Sequence, residues 1–161
     1  MIIYKIVKDL IQEKLSTVTQ LKTIDWYNQQ YTNTQNEEAE QYPAVYIEID
    51  DSIAWEDLPD GIQAGDMNIR LHVVINSLLD TPEQCLITSQ AVFRALQGVA
   101  LFDADDNQIT TELCRRKTEL VKRFDMLKVS IMKFESHCFD VTGMPEYGTA
   151  MVQPAITAGV V

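Results

Sequence analysis

The feature that most limits what this chain can fold into is an alternation. Met67, Ile69, Leu71, Val73 and Ile75 are apolar, and Asn68, Arg70, His72 and Asn76 are polar against them. Successive side chains of a strand point to opposite faces, so this period of two predicts a strand with one buried face that the rest of the fold must cover. A covering element follows at once. Thr81, Pro82, Glu83 and Gln84 combine a capping box with proline at the first helical position, and Cys85, Leu86, Ser89, Val92, Phe93, Leu96 and Val99 continue at helical spacing. Gly98 stands where a C-terminal cap forms.

A second helix is predicted at the start of the chain. Ile3, Ile6, Val7, Leu10, Ile11 and Leu15 make one stripe, with Lys5, Lys8, Asp9 and Lys14 away from it. Residues 21–27, rich in β-branched and aromatic side chains, read as a strand, and residues 28–41 as a long acidic loop. From Pro43, Val45, Ile47 and Ile49 alternate with Tyr46, Glu48 and Asp50, a half-buried strand. Pro59, Asp60, Gly61 and Gly65 break any ladder over 55–66, so this strand and the one at 67–75 form a hairpin with a long acidic connection. Residues 103–107 form a turn cluster, and residues 109–122 and 126–141 are extended. The expected fold is α+β: an antiparallel or mixed sheet of about five strands with two helices on one face. Residues 1–141 form a single domain, and 142–161 an extended C-terminal arm whose one charge is Glu146 and whose apolar residues include Met144, Tyr147, Met151, Val152 and Ile156.

With 161 residues, 46% of them hydrophobic, the chain can build one core without a staple. The three cysteines, Cys85, Cys114 and Cys138, show neither CxxC nor Cys/His spacing, so reduced thiols are expected and neither zinc nor a disulfide framework. Residues 1–14 interleave charges with apolar residues, which fits no signal-peptide core, and no apolar run is long enough for a bilayer. A soluble, reducing compartment is the expectation.

The formal charge is −11 and it is unevenly placed. Residues 23–69 hold eleven acids and no Lys or Arg, whereas Arg115, Arg116, Lys117, Lys122 and Arg123 form a basic block containing one acid, Glu119. A molecule with an acidic end and a basic edge suits head-to-tail contact between copies, and the acidic total disfavours direct nucleic-acid binding. The basic block reads as a charge-protected edge strand or a surface for a neighbour's acids.

Chemistry is weakly represented. His72 reads as a solvent-facing or interface histidine with no sequence reason for a paired acid beside it. His137 and Cys138 are adjacent on a strand and point to opposite faces, so they cannot form a dyad. Glu48 and Asp50, with Asp51, could be imagined as a magnesium site, but no lysine or basic groove supports it and a solvated strand face is preferred. Asp103, Asp105, Asp106 and Asn107 lack the glycine and glutamate of a calcium loop and read as plain turn chemistry. No nucleotide-binding or hydrolase motif occurs. No catalytic residue, cofactor or metal is expected.

With these elements in place the chain resembles the tail terminator (tail completion) proteins of long-tailed bacteriophages, and more distantly their head-tail connector proteins. The resemblance lies in the layout: an amphipathic helix over 4–15, a strand with Trp26, then Tyr42-Pro43-Ala44-Val45 leading into the next strand. Met67-Asn68-Ile69-Arg70-Leu71-His72-Val73-Val74, the capped helix after Thr81 and a late strand around 127–134 complete it. The long acidic loop over 28–41 and the arm depart from that layout. The resemblance implies a non-enzymatic virion protein assembled in the host cytoplasm, with no membrane attachment. It further implies a ring-shaped homo-oligomer, a hexamer, that caps the tail tube and joins it to head-tail connector proteins while DNA transits the lumen without specific binding. On that basis Glu37, Glu38, Glu40, Asp57 and Asp60 are candidates for the lumen. Arg115, Arg116, Lys117, Lys122 and Arg123, with Met144, Tyr147, Met151, Val152 and Ile156 of the arm, are candidates for the subunit interface. Two alternatives stand beside it: an acidic DNA mimic that inhibits a nucleic-acid-binding protein, and a small metal-dependent hydrolase built on Glu48 and Asp50.

Overall fold

A computed structural model describes residues 2–32, 42–50, 53–76, 81–122 and 126–143. Helix α1 spans Ile2–Leu15, strand β1 Thr23–Trp26, and a short 3-10 turn Gln30–Thr32. β2 (Ala44–Ile49), β3 (Glu56–Asp57), a second 3-10 turn (Pro59–Gly61) and β4 (Gln63–Asn76) follow. Helix α2 covers Pro82–Leu96, and β5 (Leu101–Phe102), β6 (Gln108–Thr110), β7 (Cys114–Lys122) and β8 (Leu127–Asp140) close the described chain.

The helices form for the reasons their sequences suggest. α1 buries Ile3, Val7, Ile11 and Leu15, four residues apart on one stripe, and leaves Lys5 and Asp9 paired outside. The α2 N-terminus is held by Thr81, whose hydroxyl accepts from the Gln84 N–H at 3.3 Å. Its C-terminus runs into Gly98 at φ +75°, a left-handed position that favours glycine.

All eight strands join one mixed sheet in the order β1-β2-β4-β8-β6-β5, with β3 added to β4 and β7 to β8. β1 and β2 run parallel and every other pair antiparallel. The spine is β4 against β8, continuous from Gln63↔Asp140 to Asn76↔Leu127. Both helices pack on one face, where Val45, Ile47, Ile49, Met67, Ile69, Leu71, Val73, Met132, Phe134 and Cys138 meet α1 and α2 residues in the main core. Each such side chain fully withdrawn from water contributes roughly 1.5–3 kcal/mol. The opposite face carries a smaller aromatic cluster of Tyr31, Tyr42, Ala44, Tyr46, Val74, Leu127 and Val129.

The α+β class and the two helices on one face agree with the sequence reading; the strand number is higher. β3, β5 and β6 are two or three residues long, too short for an alternation to register. The extended stretch over 109–122 divides into β6 and β7 at Thr111, which takes the place of a ladder residue beside β8: its N–H donates to the His137 carbonyl at 2.8 Å and its hydroxyl accepts from the His137 N–H at 3.0 Å. Gly65 lets the segment that carries β3 lie close against β4, since a Cβ there would meet the Ala54 carbonyl oxygen at 2.7 Å.

Candidate functional site

The pleat puts the even residues of β2 and β4 on the face away from the helices, and the register sets Tyr46 opposite His72 and Glu48 opposite Arg70. His72 is buried there, not solvent-facing as its sequence neighbours suggest. Its Nε2 lies 2.9 Å from Glu48 Oε2 and its Nδ1 2.6 Å from the Tyr31 hydroxyl. Glu48 also accepts from Arg70 at 3.1 Å, and Arg70 reaches Asp50 at 3.1 Å. Tyr27 stacks flat on the imidazole, with ring centroids 4.1 Å apart and planes within 4°.

Burial lowers the His72 pKa below its ordinary value, against the opposing pull of Glu48. The neutral ring fits the geometry, with Nε2–H donating to the carboxylate and Nδ1 accepting from Tyr31. Both ring nitrogens are thereby engaged, so this cluster offers no free base. It is an anchor for the turn over residues 27–32. The Glu48 and Asp50 carboxylates are engaged by Arg70 and His72 on a partly solvated strand face, so they do not stand there as an open cation site. Asp51 lies outside the described residues. Sequence reading missed the Glu48–His72 pair because nothing in either strand alone shows it. The signal lay in the hairpin register, which sets Tyr46-x-Glu48 against Arg70-x-His72.

The remaining candidates behave as alternation requires. His137 faces outward, with Nδ1 3.0 Å from Asp66, while Cys138 is buried and donates its thiol to the Gly65 carbonyl at 3.2 Å. Burial pushes the Cys138 thiol up to about 11. Among the described residues no group of three or more His, Cys, Asp or Glu side chains could hold a metal ion. Asp103 closes its turn by accepting from the Asn107 amide side chain and from the backbone N–H groups of Asp105 and Asn107, which hold its pKa below the ordinary carboxylate value.

The fold redistributes charge in a way the linear sequence does not display. Pairing of β3 with β4, β4 with β8 and β6 with β8 gathers residues 53–66, 99–113 and 136–143 at one end of the sheet. These segments contain Glu56, Asp57, Asp60, Asp66, Asp103, Asp105, Asp106, Glu112 and Asp140 and no Lys or Arg. Further along β8 the sign changes: Lys128 and Lys133 lie in the half of β8 that pairs with β7, which carries Arg115, Arg116 and Lys117. All three are exposed. Arg115 lies over the Phe93 ring at 3.8 Å, Arg116 pairs with Glu135 at 3.0 Å, and Lys117 pairs with Glu119. The Lys117 ammonium holds the Glu119 pKa below its ordinary value.

Of the lumen candidates, Asp57 lies exposed on β3, where it accepts from Gln63 at 2.8 Å, and Asp60 sits in the following turn at φ 63°. The structure thus places these two together. Glu37, Glu38 and Glu40 lie outside the described residues, as do Arg123, Met144, Tyr147, Met151, Val152 and Ile156 of the interface set. Arg115, Arg116, Lys117 and Lys122 share β7.

No family model and no curated protein matches the chain. Among solved structures, it is similar to a chain of the virion of a native gene transfer agent (GTA) particle, with a TM-score of 0.53 over 83% of this chain and 94% of that one, at 10% sequence identity. The likeness is one of fold.

Proposed function

We propose that this chain is a structural virion subunit of the tail-terminator type, which works by fitting against copies of itself and against neighbouring proteins. It forms a ring, a hexamer in this reading, that caps the tail tube and joins it to the head-tail connector, and DNA passes through the lumen without specific binding. The observation that carries the reading is the shared fold: the chain overlays nearly the whole of a subunit that sits in a virion particle. The charge layout supports it, because heterologous contacts between unlike patches generate rings. An acidic lumen would also repel passing phosphate. Glu37, Glu38, Glu40, Asp57 and Asp60 are the proposed lumen acids, and the arm over 142–161 is proposed to dock on an adjacent subunit or on the tube.

Electron microscopy of the purified protein across a concentration series tests this directly. Rings or stacked discs are expected; a monodisperse monomer at every concentration would exclude the reading. The end of the sheet that gathers nine acids without a base favours one other reading, a DNA mimic that occupies a nucleic-acid-binding protein. Capture of a host nuclease or repressor by a chain that never self-associates would select it.

A further inference from the structure

One edge strand of the sheet, β7, carries exposed bases and an exposed leucine, and the other end of the same molecule carries a groove of complementary chemistry. Among the described residues β7 pairs with β8 alone. At its start the Arg115 N–H donates to Gln97 at 2.9 Å, and the residues from Lys117 to Leu120 are all exposed. Leu120 on this edge is 58% exposed, more than any other large apolar side chain of the described strands. Near the acidic end, Leu58, Ile62, Phe139 and Val141 line an open groove of about 420 Å³, with Asp106 at its wall and Asp57 beside Leu58. Leu58 is itself 40% exposed.

We infer that the β7 edge of one copy inserts into this groove of the next, Leu120 on one face of the strand seating against Leu58, Ile62 and Phe139 while Arg116 and Lys117 on the other meet Asp57 and Asp106. The inference rests on the assembly reading above and names the joint through which it occurs. Three observations select a second copy as occupant. The charges complement: the edge carries Leu120 on one face of the strand and Lys117, with Arg116 beside Glu135, on the other, and the groove offers apolar walls with Asp106 in its lining and Asp57 beside Leu58. Pairing of β7 with another β7 would set bases beside bases. The opposite edge, β1, is already closed by side chains: the Ile24 carbonyl accepts from Gln12 at 3.3 Å, the Trp26 carbonyl from Gln30 at 2.5 Å, and the Trp26 N–H donates to Asp25 at 2.7 Å. The pairs Arg116–Glu135 and Lys117–Glu119 are exposed, and such pairs are worth little, so exchanging them for a neighbour's acids costs little. This assignment moves Asp57 from the lumen to the joint and leaves Glu37, Glu38, Glu40 and Asp60 for the channel.

Two reversals test it in the full chain: Arg116→Glu with Lys117→Glu on the edge, and Asp57→Lys with Asp106→Lys at the groove. Each alone is expected to raise the concentration of half-assembly by more than about tenfold, read by sedimentation and by ring counts in micrographs. An equimolar mixture of the two variants is expected to assemble again, since each native face then meets its native partner and each reversed face its reversed partner; that recovery also shows that both variants are folded. Rings that survive either reversal, or a mixture that stays dispersed, would overturn the joint while leaving the assembly reading in place. Rings that survive both reversals but vanish when the chain ends at Gly143 would assign the contact to the arm instead. If the unaltered chain never assembles, the assembly reading itself fails.

Discussion

Two edge strands of this sheet, β1 and β7, meet the same physical problem in opposite ways. A strand edge exposes main-chain donors and acceptors that can pair with any other strand. On β1, the Tyr27 N–H bonds to the Ile47 carbonyl of β2, so by alternation the groups of Ile24 and Trp26 turn outward, and three of them, both carbonyls and the Trp26 N–H, are capped by Gln12, Gln30 and Asp25. On β7 the chain relies on charge, with Arg115, Arg116 and Lys117 along the edge and Leu120 left exposed. Capping by side chains makes an edge inert, whereas charge makes it selective, since it discourages unlike partners and admits one with the right acids.

The closed edge depends on a buried residue some distance away. His72 holds Tyr31 by a hydrogen bond and Tyr27 by stacking, and those residues flank Gln30, whose amide caps Trp26. His72→Leu is therefore the substitution expected to disturb the comparison most. It removes the buried His72–Tyr31 hydrogen bond, the stacking on Tyr27 and one donor to Glu48, at a cost of about 2–4 kcal/mol in urea unfolding at neutral pH. It also frees the β1 edge, so faster aggregation should accompany the lower midpoint. A loss below about 1 kcal/mol would show that the turn over 27–32 is held by other means.

The same histidine gives the next effect, a dependence on pH. Its folded pKa lies below the ordinary 6.5 because burial disfavours the imidazolium. The unfolded chain then binds a proton more readily than the folded one, so this contribution to stability is complete above about pH 6.5 and falls as the pH drops toward the folded pKa. Unfolding midpoints of the unaltered chain and of His72→Leu should converge as the pH is lowered from 7 to 5. Parallel curves would mean that His72 titrates alike in both states.

What could be read in the sequence and what could not divide along the range of the interactions. α1, β2, β4 and α2 are legible because Ile3 to Leu15, Val45 to Ile49, Met67 to Ile75 and the Thr81 cap are signals within a few residues. The opposite facing of His137 and Cys138 follows from the pleat in the same way. The burial of His72 is not legible, since it is decided by Glu48 from another strand and by Tyr31 from a turn 41 positions away. The acidic end is hidden for the same reason. Asp57, Asp106 and Asp140 come together only through the pairing of residues 63–76 with 127–140 and of 108–110 with the end of β8. The basic block was legible as a run and as a charge-protected edge strand, but that this edge lies beside β8 is a fact of sheet order.

A milder way to open β1 is Gln30→Ala, which removes the cap on the Trp26 carbonyl and leaves His72 untouched. The expected loss is about 1–3 kcal/mol, two net hydrogen bonds, because the Gln30 side chain also accepts from the Asn28 N–H at 2.6 Å. The informative readout is association: if side-chain capping is what keeps β1 inert, this variant should self-associate in a form that salt does not dissolve, because main-chain pairing is insensitive to screening. The β7 joint, built on charge, should weaken as salt rises. Association that responds to salt in the same way for both proteins would remove the distinction between the edges.

The smallest expected effect on the fold is also the sharpest test of the open edge. Leu120 is 58% exposed and lies opposite Ser130 on β8, so within one subunit it buries little. Leu120→Lys should change the unfolding free energy of the isolated subunit by less than about 0.5 kcal/mol, the usual range for a surface change away from caps and buried networks. The same change adds a charge to an edge that already carries Arg116 and Lys117 and removes the one side chain suited to an apolar groove, so assembly should fail while the melting curve stays in place. If instead the subunit loses 1 kcal/mol or more, Leu120 was packing inside its own molecule. The edge would then be closed after all, and β7 would join β1 as a finished boundary of the sheet.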